Sequence, residues 1–249
     1  MTGSEDNITT CANCGKEGGN LNTCNKCNIV KYCNAACKKK HRSKHKKACE
    51  KRVAELHDEA LFKEHPPRDD CPICFLPLPL DADEMTFKSC CGKIICDGCI
   101  FAMMEEAFGR GKIEGLCEFC RVPAPDSDEG VMKRLNKLIE ADHPYAFDTL
   151  AGYYDMGTMG MPQDMAKANE LFCRAGELGW GEAYCTLGFN YINGRGVEMD
   201  EKKAKHYWEL AAMNGNLGAR HNLGCMEGEA GNHDRAKKHF ILAAKAGFK

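Results

Sequence analysis

Fifteen of the eighteen cysteines lie between Cys11 and Cys120, and most stand in pairs two or three residues apart. A thiolate is a soft anionic donor, and two of them on one tight turn can grip one edge of a tetrahedral metal. Cys11–Cys14, Cys24–Cys27, Cys33–Cys37 and the pair His45 with Cys49 offer enough donors for two closed sites. A second run, CPIC at 71–74, SCCGKIICDGCI at 89–100 and CEFC at 117–120, offers enough for two more. The chemistry implied is structural zinc, about four Zn2+ ions, with no catalytic residue in evidence. Cys173, Cys185 and Cys225 lack metal spacing and read as core or surface thiols.

Hydrophobic content of 43% and charged content of 28% fit a soluble chain, and 249 residues allow two or three domains. The formal net charge of −2 argues against a nucleic-acid binder. No apolar run approaches the roughly 20 residues that span a bilayer, so no membrane partner is expected. MTGSEDNITT has neither the basic nor the apolar region of a signal peptide. The expected compartment is cytoplasmic and/or nuclear, where paired cysteines mean metal rather than disulfides.

In the first cluster, Gly15 and Asn28 follow CxxC pairs closely enough to ease the turn, and the Cys33–Cys37 and His45–Cys49 spacings suit one helical turn. Leu21, Ile29, Val30 and Tyr32 are the remaining candidates for burial, too few for a core. Zinc must supply the folding free energy, on the order of 10–16 kcal/mol apparent per site. The residues CANC, CNKC and YCNAACKKKHRSKHKKAC resemble the MYND zinc finger. The resemblance implies interleaved sites: Cys11, Cys14, Cys33 and Cys37 on one zinc, and Cys24, Cys27, His45 and Cys49 on the other. It also implies docking of short, often proline-containing peptides. Lys38 stands where the family usually has Gln, and Arg42 where it usually has Trp, so the fold is better supported than the peptide preference. His41 fits no ligand slot and reads as a surface histidine. Nine Lys or Arg between Lys38 and Arg52 read as the solvated face of the last helix; the alternative is a nuclear-localisation or nucleic-acid patch.

The second cluster resembles a RING-type finger, opened by CPIC and closed by CEFCRVP. The resemblance implies that Cys71, Cys74, Cys96 and Cys99 share one zinc, while Cys117 and Cys120 anchor the other. Where the family has Cys-x-His, this chain has Cys91-Gly92-Lys93, and a protonated lysine has no lone pair for a metal. Cys90 and Cys91 therefore complete the second site, with Gly92 easing the bend. The alternative leaves Cys90 a buried thiol and that site weak or empty. RING domains recruit a ubiquitin-conjugating enzyme, and the resemblance assigns that contact to Ile73 and Arg121; the alternative for Ile73 is packing beside the metal. Glu118 in place of the family's proline, and a loop from Ile100 to Leu116 without Trp, depart from the pattern.

Beyond the fingers, residues 146–249 repeat with a period of 36 or 37. Ala146, Ala183 and Ala219 align, as do Leu150, Leu187 and Leu223. In the second half of each unit Ala168, Ala204 and Ala236 align, then Phe172, Trp208 and Phe240, then Ala175, Ala211 and Ala243, then Gly179, Gly215 and Gly247. Each unit reads as two helices, with Asp164 and Asp200 opening second helices and a four-residue deletion in the third unit. The unit LGFNYINGRGVEMDEKKAKHYWELAAMNGN resembles Sel-one-like repeats, relatives of the tetratricopeptide repeat. That resemblance implies a helical solenoid whose concave face binds proteins, with Tyr184, Asn190 and His221 as candidates for the face; the alternative for all three is ordinary solvated surface. No capping helix follows Gly247-Phe248-Lys249, so a truncated reading frame is expected.

The expected architecture is multidomain: two small zinc-stabilised fingers with little regular structure and short helices, then an all-α solenoid. The segments are a disordered N-terminus at 1–10, the first finger at 11–49 and a helical linker at 50–68, broken at His65-Pro66-Pro67. The second finger follows at 69–125, then a linker at 126–142 with a helix from about Val131 to Glu140 that ends at His143-Pro144. Repeats fill 143–249, in units of about 146–182, 183–218 and 219–249. The preferred function is a zinc-binding protein–protein adaptor with proteins or peptides as partners. The alternative is a RING-type ubiquitin ligase in which the other domains choose the substrate. Methyltransferases also carry MYND fingers, but the rest of this chain lacks the length and sequence of their catalytic domain.

Overall fold

The computed structural model describes residues 10–18, 20–65, 68–80, 84–109 and 115–248. Expectations for residues 1–9, for the Pro66–Pro67 break and for Lys249 lie outside them. The chain forms two compact units, one ending at Lys63 and the other running from Glu64 onward.

In the first unit, β1 (Asn22–Thr23) pairs antiparallel with β2 (Lys31–Tyr32). Helix α1 (Ala35–Leu61) begins where Asn34 accepts the Cys37 N–H at 2.8 Å, satisfying one orphan donor of the first turn. At 27 residues α1 runs on from the finger into the stretch expected as a helical linker, ending at Leu61. Its charged sequence continues the helix through exposed i,i+4 pairs, Lys46–Glu50 and Lys51–Glu55, each contributing a few tenths of a kcal/mol. The buried core is Tyr32 with Cys11, Cys24, Cys27 and Cys49, flanked by Leu21 and Val30. Ile29, expected inside, is 55% exposed. A core built mostly of sulfur cannot hold a fold by apolar burial, so its stability rests on what the sulfurs bind.

The second unit opens with the hairpin β3 (Met85–Lys88) and β4 (Lys93–Cys96), antiparallel with Thr86 opposite Ile95. Helix α2 (Asp97–Gly109) occupies most of the stretch expected to be a loop. Helix α3 (Asp128–Glu140) starts three residues earlier than expected. The reason is local: the Ser127 hydroxyl accepts the Gly130 N–H at 3.2 Å, and Asp128 and Glu129 face the positive end of the helix.

Six helices follow as three hairpins: α4 (Pro144–Met156) with α5 (Met165–Glu177), α6 (Gly181–Asn193) with α7 (Glu201–Met213), and α8 (Leu217–Glu229) with α9 (His233–Lys245). Helix α3 ends at Glu140, ahead of His143-Pro144 as expected, and Pro144 opens the next helix at its first turn, where a missing N–H costs nothing. The Asp164 and Asp200 side chains cap α5 and α7 at 2.9 and 3.0 Å. The aligned alanines are all buried, which lets the paired helices lie close. The first helices α6 and α8 also pack on the second helix of the preceding unit. A ring marks the heart of the second and third hairpins: Trp208 covers Gly188 and donates its indole N–H to the Cys185 carbonyl at 3.2 Å, and Phe240 covers Gly224.

Candidate metal centres

Four CxxC turns share one backbone geometry. The carbonyls of Cys11, Cys24, Cys71 and Cys117 each accept, at 2.9 Å, the N–H of the residue four further on: Gly15, Asn28, Phe75 and Arg121. Those four residues all have left-handed backbones, with φ of 71, 55, 58 and 61°. The N–H of each opening cysteine is then held by the returning strand, from Lys16, Val30, Leu76 and Val122 carbonyls at 2.8–2.9 Å. The turn leaves the next N–H groups pointing at the opening sulfur, a cradle for a thiolate. The Gly15 and Asn28 turns follow the sequence; Phe75 and Arg121 are the same position in the second finger, which residue type alone conceals.

These turns gather the cysteines into four groups whose donor atoms lie within 4.8 Å of one another: Cys11, Cys14, Cys33, Cys37; Cys24, Cys27, His45, Cys49; Cys71, Cys74, Cys96, Cys99; and Cys90, Cys91, Cys117, Cys120. With Zn–S near 2.3 Å, the edge of a zinc–thiolate tetrahedron is about 3.8 Å. The sulfurs sit close to that edge: Cys14–Cys33 at 3.7, Cys33–Cys37 at 3.5, Cys71–Cys99 and Cys74–Cys96 at 3.8, and Cys91–Cys117 at 4.0 Å. Cys27 Sγ and His45 Nε2 are 3.2 Å apart. Donor type, count and spacing all fit Zn2+, and four protein donors close each site. Cys90 joins Cys91 because the turn bends sharply: the Gly92 N–H reaches the Lys88 carbonyl at 2.8 Å, and Cys90 Sγ lies 3.4 Å from Cys120 Sγ.

Electrostatics favour a dication at these points. Backbone N–H groups, that of Cys33 foremost and those of Cys14 and Asn13 after it, hold the Cys11 thiol down at about 6 against the opposing effect of burial. Burial pushes Cys24 and Cys71 up, yet N–H groups including those of Cys27 and Cys74 outweigh it and leave both at about 6. Their neighbours cannot ionise beside them. Sharing with Cys37 and burial push Cys33 up to about 12, and burial with Cys27 pushes Cys49 up to about 11. A bound Zn2+ would relieve that conflict, because its double positive charge offsets part of the repulsion among thiolates held side by side.

Several residues around the sites differ from their sequence reading. His41, expected on the surface, is half-buried, hydrogen-bonded to Tyr32 Oη at 3.2 Å and stacked on the His45 ring at 5.9 Å between centroids. Its i,i+4 spacing from His45 was the available signal. Eight of the nine basic residues from 38 to 52 are exposed, as a solvated helix face requires. Ile73 is half-buried, packed against Cys71 and Ile95, while the Arg121 side chain is exposed. Glu118 forms an ion pair with Lys88 at 2.8 Å that ties the last knuckle to β3, which accounts for an acid in that position.

The second finger meets the first repeat through its hairpin. Phe87 of β3 lies 4.3 Å from the Tyr145 ring, and His143 Nε2 is 3.0 Å from the Gly92 carbonyl, next to Cys91. Among the candidates for a concave binding face, Tyr184 and Asn190 are buried instead. Asn190 donates to Asn169 Oδ1 at 2.6 Å, and Tyr184 packs over Gly176, so both bind neighbouring helices together. His221 is exposed but lies against Phe240 and Phe248, with ring centroids 5.5 Å away. Besides its shorter connection, the third repeat departs from the second at three buried positions: Arg220, Glu227 and His239 stand where Tyr184, Tyr191 and Tyr207 make an aromatic cluster. Glu227 is buried and held by Lys205 at 2.8, Asn232 at 2.8 and Arg235 at 3.2 Å.

Comparison with known proteins agrees with this anatomy. Residues 11–49 match the MYND finger family, and residues 150–180, 181–216 and 218–248 match the Sel1 repeat. A search of curated proteins finds no match. Among solved structures, a Sel1 repeat protein from Oxalobacter formigenes is 28% identical, with a TM-score of 0.43, covering 48% of this chain and 50% of that one. A protective antigen of uropathogenic Escherichia coli strains, displaying an SLR fold, is 22% identical with a TM-score of 0.46, covering 59% of this chain and 33% of that one. Cysteine rich protein B of Helicobacter pylori is 21% identical with a TM-score of 0.37, covering 49% of this chain and 92% of that one. The chain thus spans half the length of the first and a third of the second.

Proposed function

We propose that the chain is a protein-interaction adaptor whose zinc ions are structural, held by the sixteen cysteine and histidine residues of the four clusters. The observation that carries this reading is the closure of the clusters. Each one offers four protein donors at tetrahedral spacing, so a bound Zn2+ keeps no position for water and serves to hold shape. What the zinc and the stacked helices then present to the outside is surface: the finger of residues 11–49 for short peptides and the repeats for folded partners. A reducing intracellular compartment suits this reading because it keeps the thiols available to metal.

The test is co-purification with the full, zinc-loaded chain and with two disabled variants, Cys24→Ser for the first finger and Trp208→Ala for the repeats. The adaptor reading expects different partners to be lost from each. Identical partner sets from all three proteins would overturn it.

A second reading, a RING-type ubiquitin ligase, draws on the exposed Arg121 at the last knuckle and on Ile73 between Cys71 and Cys74. Its assay is ubiquitin discharge from a panel of charged conjugating enzymes to free lysine. Arg121→Ala is a clean control because it keeps a Cβ at the same positive φ. Stimulation lost in that variant supports the ligase, and no stimulation by the zinc-loaded wild type rejects it.

A further inference from the structure

The small net charge of the whole chain conceals a division. Residues 64–249 carry 29 acids against 21 Lys or Arg, whereas residues 11–49 carry ten Lys or Arg and one acid, Glu17. Seven thiolates with two Zn2+ offset three of the nine surplus cations, so the loaded first finger keeps about six.

Most of that charge stands on the first turns of α1. His41, His45 and Cys49 recur at i,i+4 spacing and turn inward, the first half-buried and the other two buried. Opposite them, Lys40, Lys44 and Lys47 form one exposed flank and Lys39, Arg42 and Lys46 the other, with Ser43 between. These cations spread over about 200° of the helix circumference and about 12 Å of its length. Lys46 is paired with Glu50 at 3.9 Å. Lys39, Lys40, Arg42, Lys44 and Lys47 have no ion-pair partner among the described residues. From Ala35 to Ala48 every exposed residue is a cation, Ser43 or an alanine, so the face holds no apolar anchor.

That composition separates the anions that could meet it. An acidic protein segment would gain little from each exposed pair and would find no pocket for an anchoring side chain. A nucleic-acid duplex needs no anchor, because its phosphates stand at dense, fixed spacing and release counterions when cations replace them. Lysine, a compact point charge, meets phosphates without reading bases. A helix about 10–12 Å across fits the roughly 12 Å major groove of B-DNA with one flank towards each wall, whereas the major groove of an RNA duplex is deep and narrow. We infer that the outward face of α1 from Lys39 to Lys47 binds the phosphate backbone of duplex DNA without sequence preference. This surface is additional to the protein contacts of the adaptor reading.

The probe is a short fluorescein-labelled DNA duplex of mixed sequence, titrated with the full, zinc-loaded chain between 50 and 200 mM salt and followed by anisotropy. Five unpaired cations predict a slope of log K against log salt of about −4.5, a loss of about 500-fold across that range. The triple variant Lys40→Gln, Lys44→Gln, Lys47→Gln keeps helix propensity, and should bring the slope to about −1.8 and weaken binding at least tenfold at 50 mM salt. Circular dichroism and bound zinc check its fold, and each single change should take about 0.9 off the slope. Lys133→Gln with Lys137→Gln removes two exposed lysines of α3 instead and should bind as wild type does. No binding at 50 mM salt, a slope that the triple variant leaves unchanged, or an equal loss in the α3 variant overturns the inference. So does tighter binding, at equal salt, of an RNA duplex, a polyglutamate peptide or vesicles containing phosphatidylserine, each of which would assign the face to that partner. The co-purification experiment uses other substitutions, so a failure here leaves the adaptor reading standing.

Discussion

The same substitution at two helical glycines should move stability in opposite directions. Gly152 and Gly188 both lie inside first helices of the repeats, α4 and α6. Replacing either by Ala gains about 0.8–1 kcal/mol of helix propensity. At Gly152 the added methyl meets only Met156 Cε, at 4.0 Å, so that gain should survive. At Gly188 it would fall inside the indole of Trp208, within 2.8 Å of Cε2 and closer still to Nε1 and Cδ1. The ring is buried and cannot swing outward without breaking its bond to the Cys185 carbonyl. Overpacking of that kind costs about 1–3 kcal/mol, and leaving the indole N–H unpaired costs about 1–3 more. Net of propensity, Gly188→Ala should lose roughly 1–5 kcal/mol while Gly152→Ala gains up to about 1. The assay is urea denaturation of the zinc-loaded chain, read by far-UV circular dichroism and tryptophan fluorescence. Gly188→Ala as stable as wild type, or Gly152→Ala destabilised to the same extent, would refute the packing argument.

Other outcomes follow from the sites. Cys90→Ala should lower bound zinc, measured by metal analysis, from about four ions per chain to about three, and unchanged stoichiometry would remove Cys90 from its cluster. Chelation with EDTA should unfold the first finger while α4–α9 keep most of the 222 nm ellipticity, since their packing uses no metal donor. Burial, with Arg220 and Arg235 nearby, holds His239 down at about 4, below its ordinary 6.5. The unfolded chain then binds the extra proton first, so stability should fall as pH drops from 6.5 towards 4, and His239→Gln should flatten that slope in pH-dependent urea midpoints. Burial opposes ionisation of Glu227, but Lys205, Asn232 and Arg235 hold it at about 2, below its ordinary 4.5. Its contribution is present above pH 4.5 and lost between 4.5 and 2, a loss that Glu227→Gln should abolish.

Much of this was legible in the chain because spacing carries it. The CxxC pairs name the donors, the resemblances to MYND and RING fingers imply which pairs share an ion, and the alignment of Ala146, Ala183 and Ala219 marks a contact that all three hairpins share. What escaped was whatever depends on the partner across a contact. Tyr184 and Asn190 look like surface binders in sequence, since an aromatic ring or an amide can serve either role, and only Gly176 and Asn169 opposite them decide it. Glu118 looked like a defect in a pattern until Lys88 was found beside it. The extension of α1 to Leu61 was legible too, because Val53, Leu56, Ala60 and Leu61 recur at helical spacing through an otherwise charged stretch.

The order of donors along the first finger governs how it fills with metal. Cys11 and Cys14 must wait for Cys33 and Cys37, while Cys24 and Cys27, lying between them, must wait for His45 and Cys49. Each ion therefore closes a loop that contains half of the other's ligands, and fixing the first shortens the search for the second. When zinc is scarce, such a finger divides a population into filled and empty chains with few half-loaded ones. Its docking surface would respond to zinc supply as a threshold rather than in proportion.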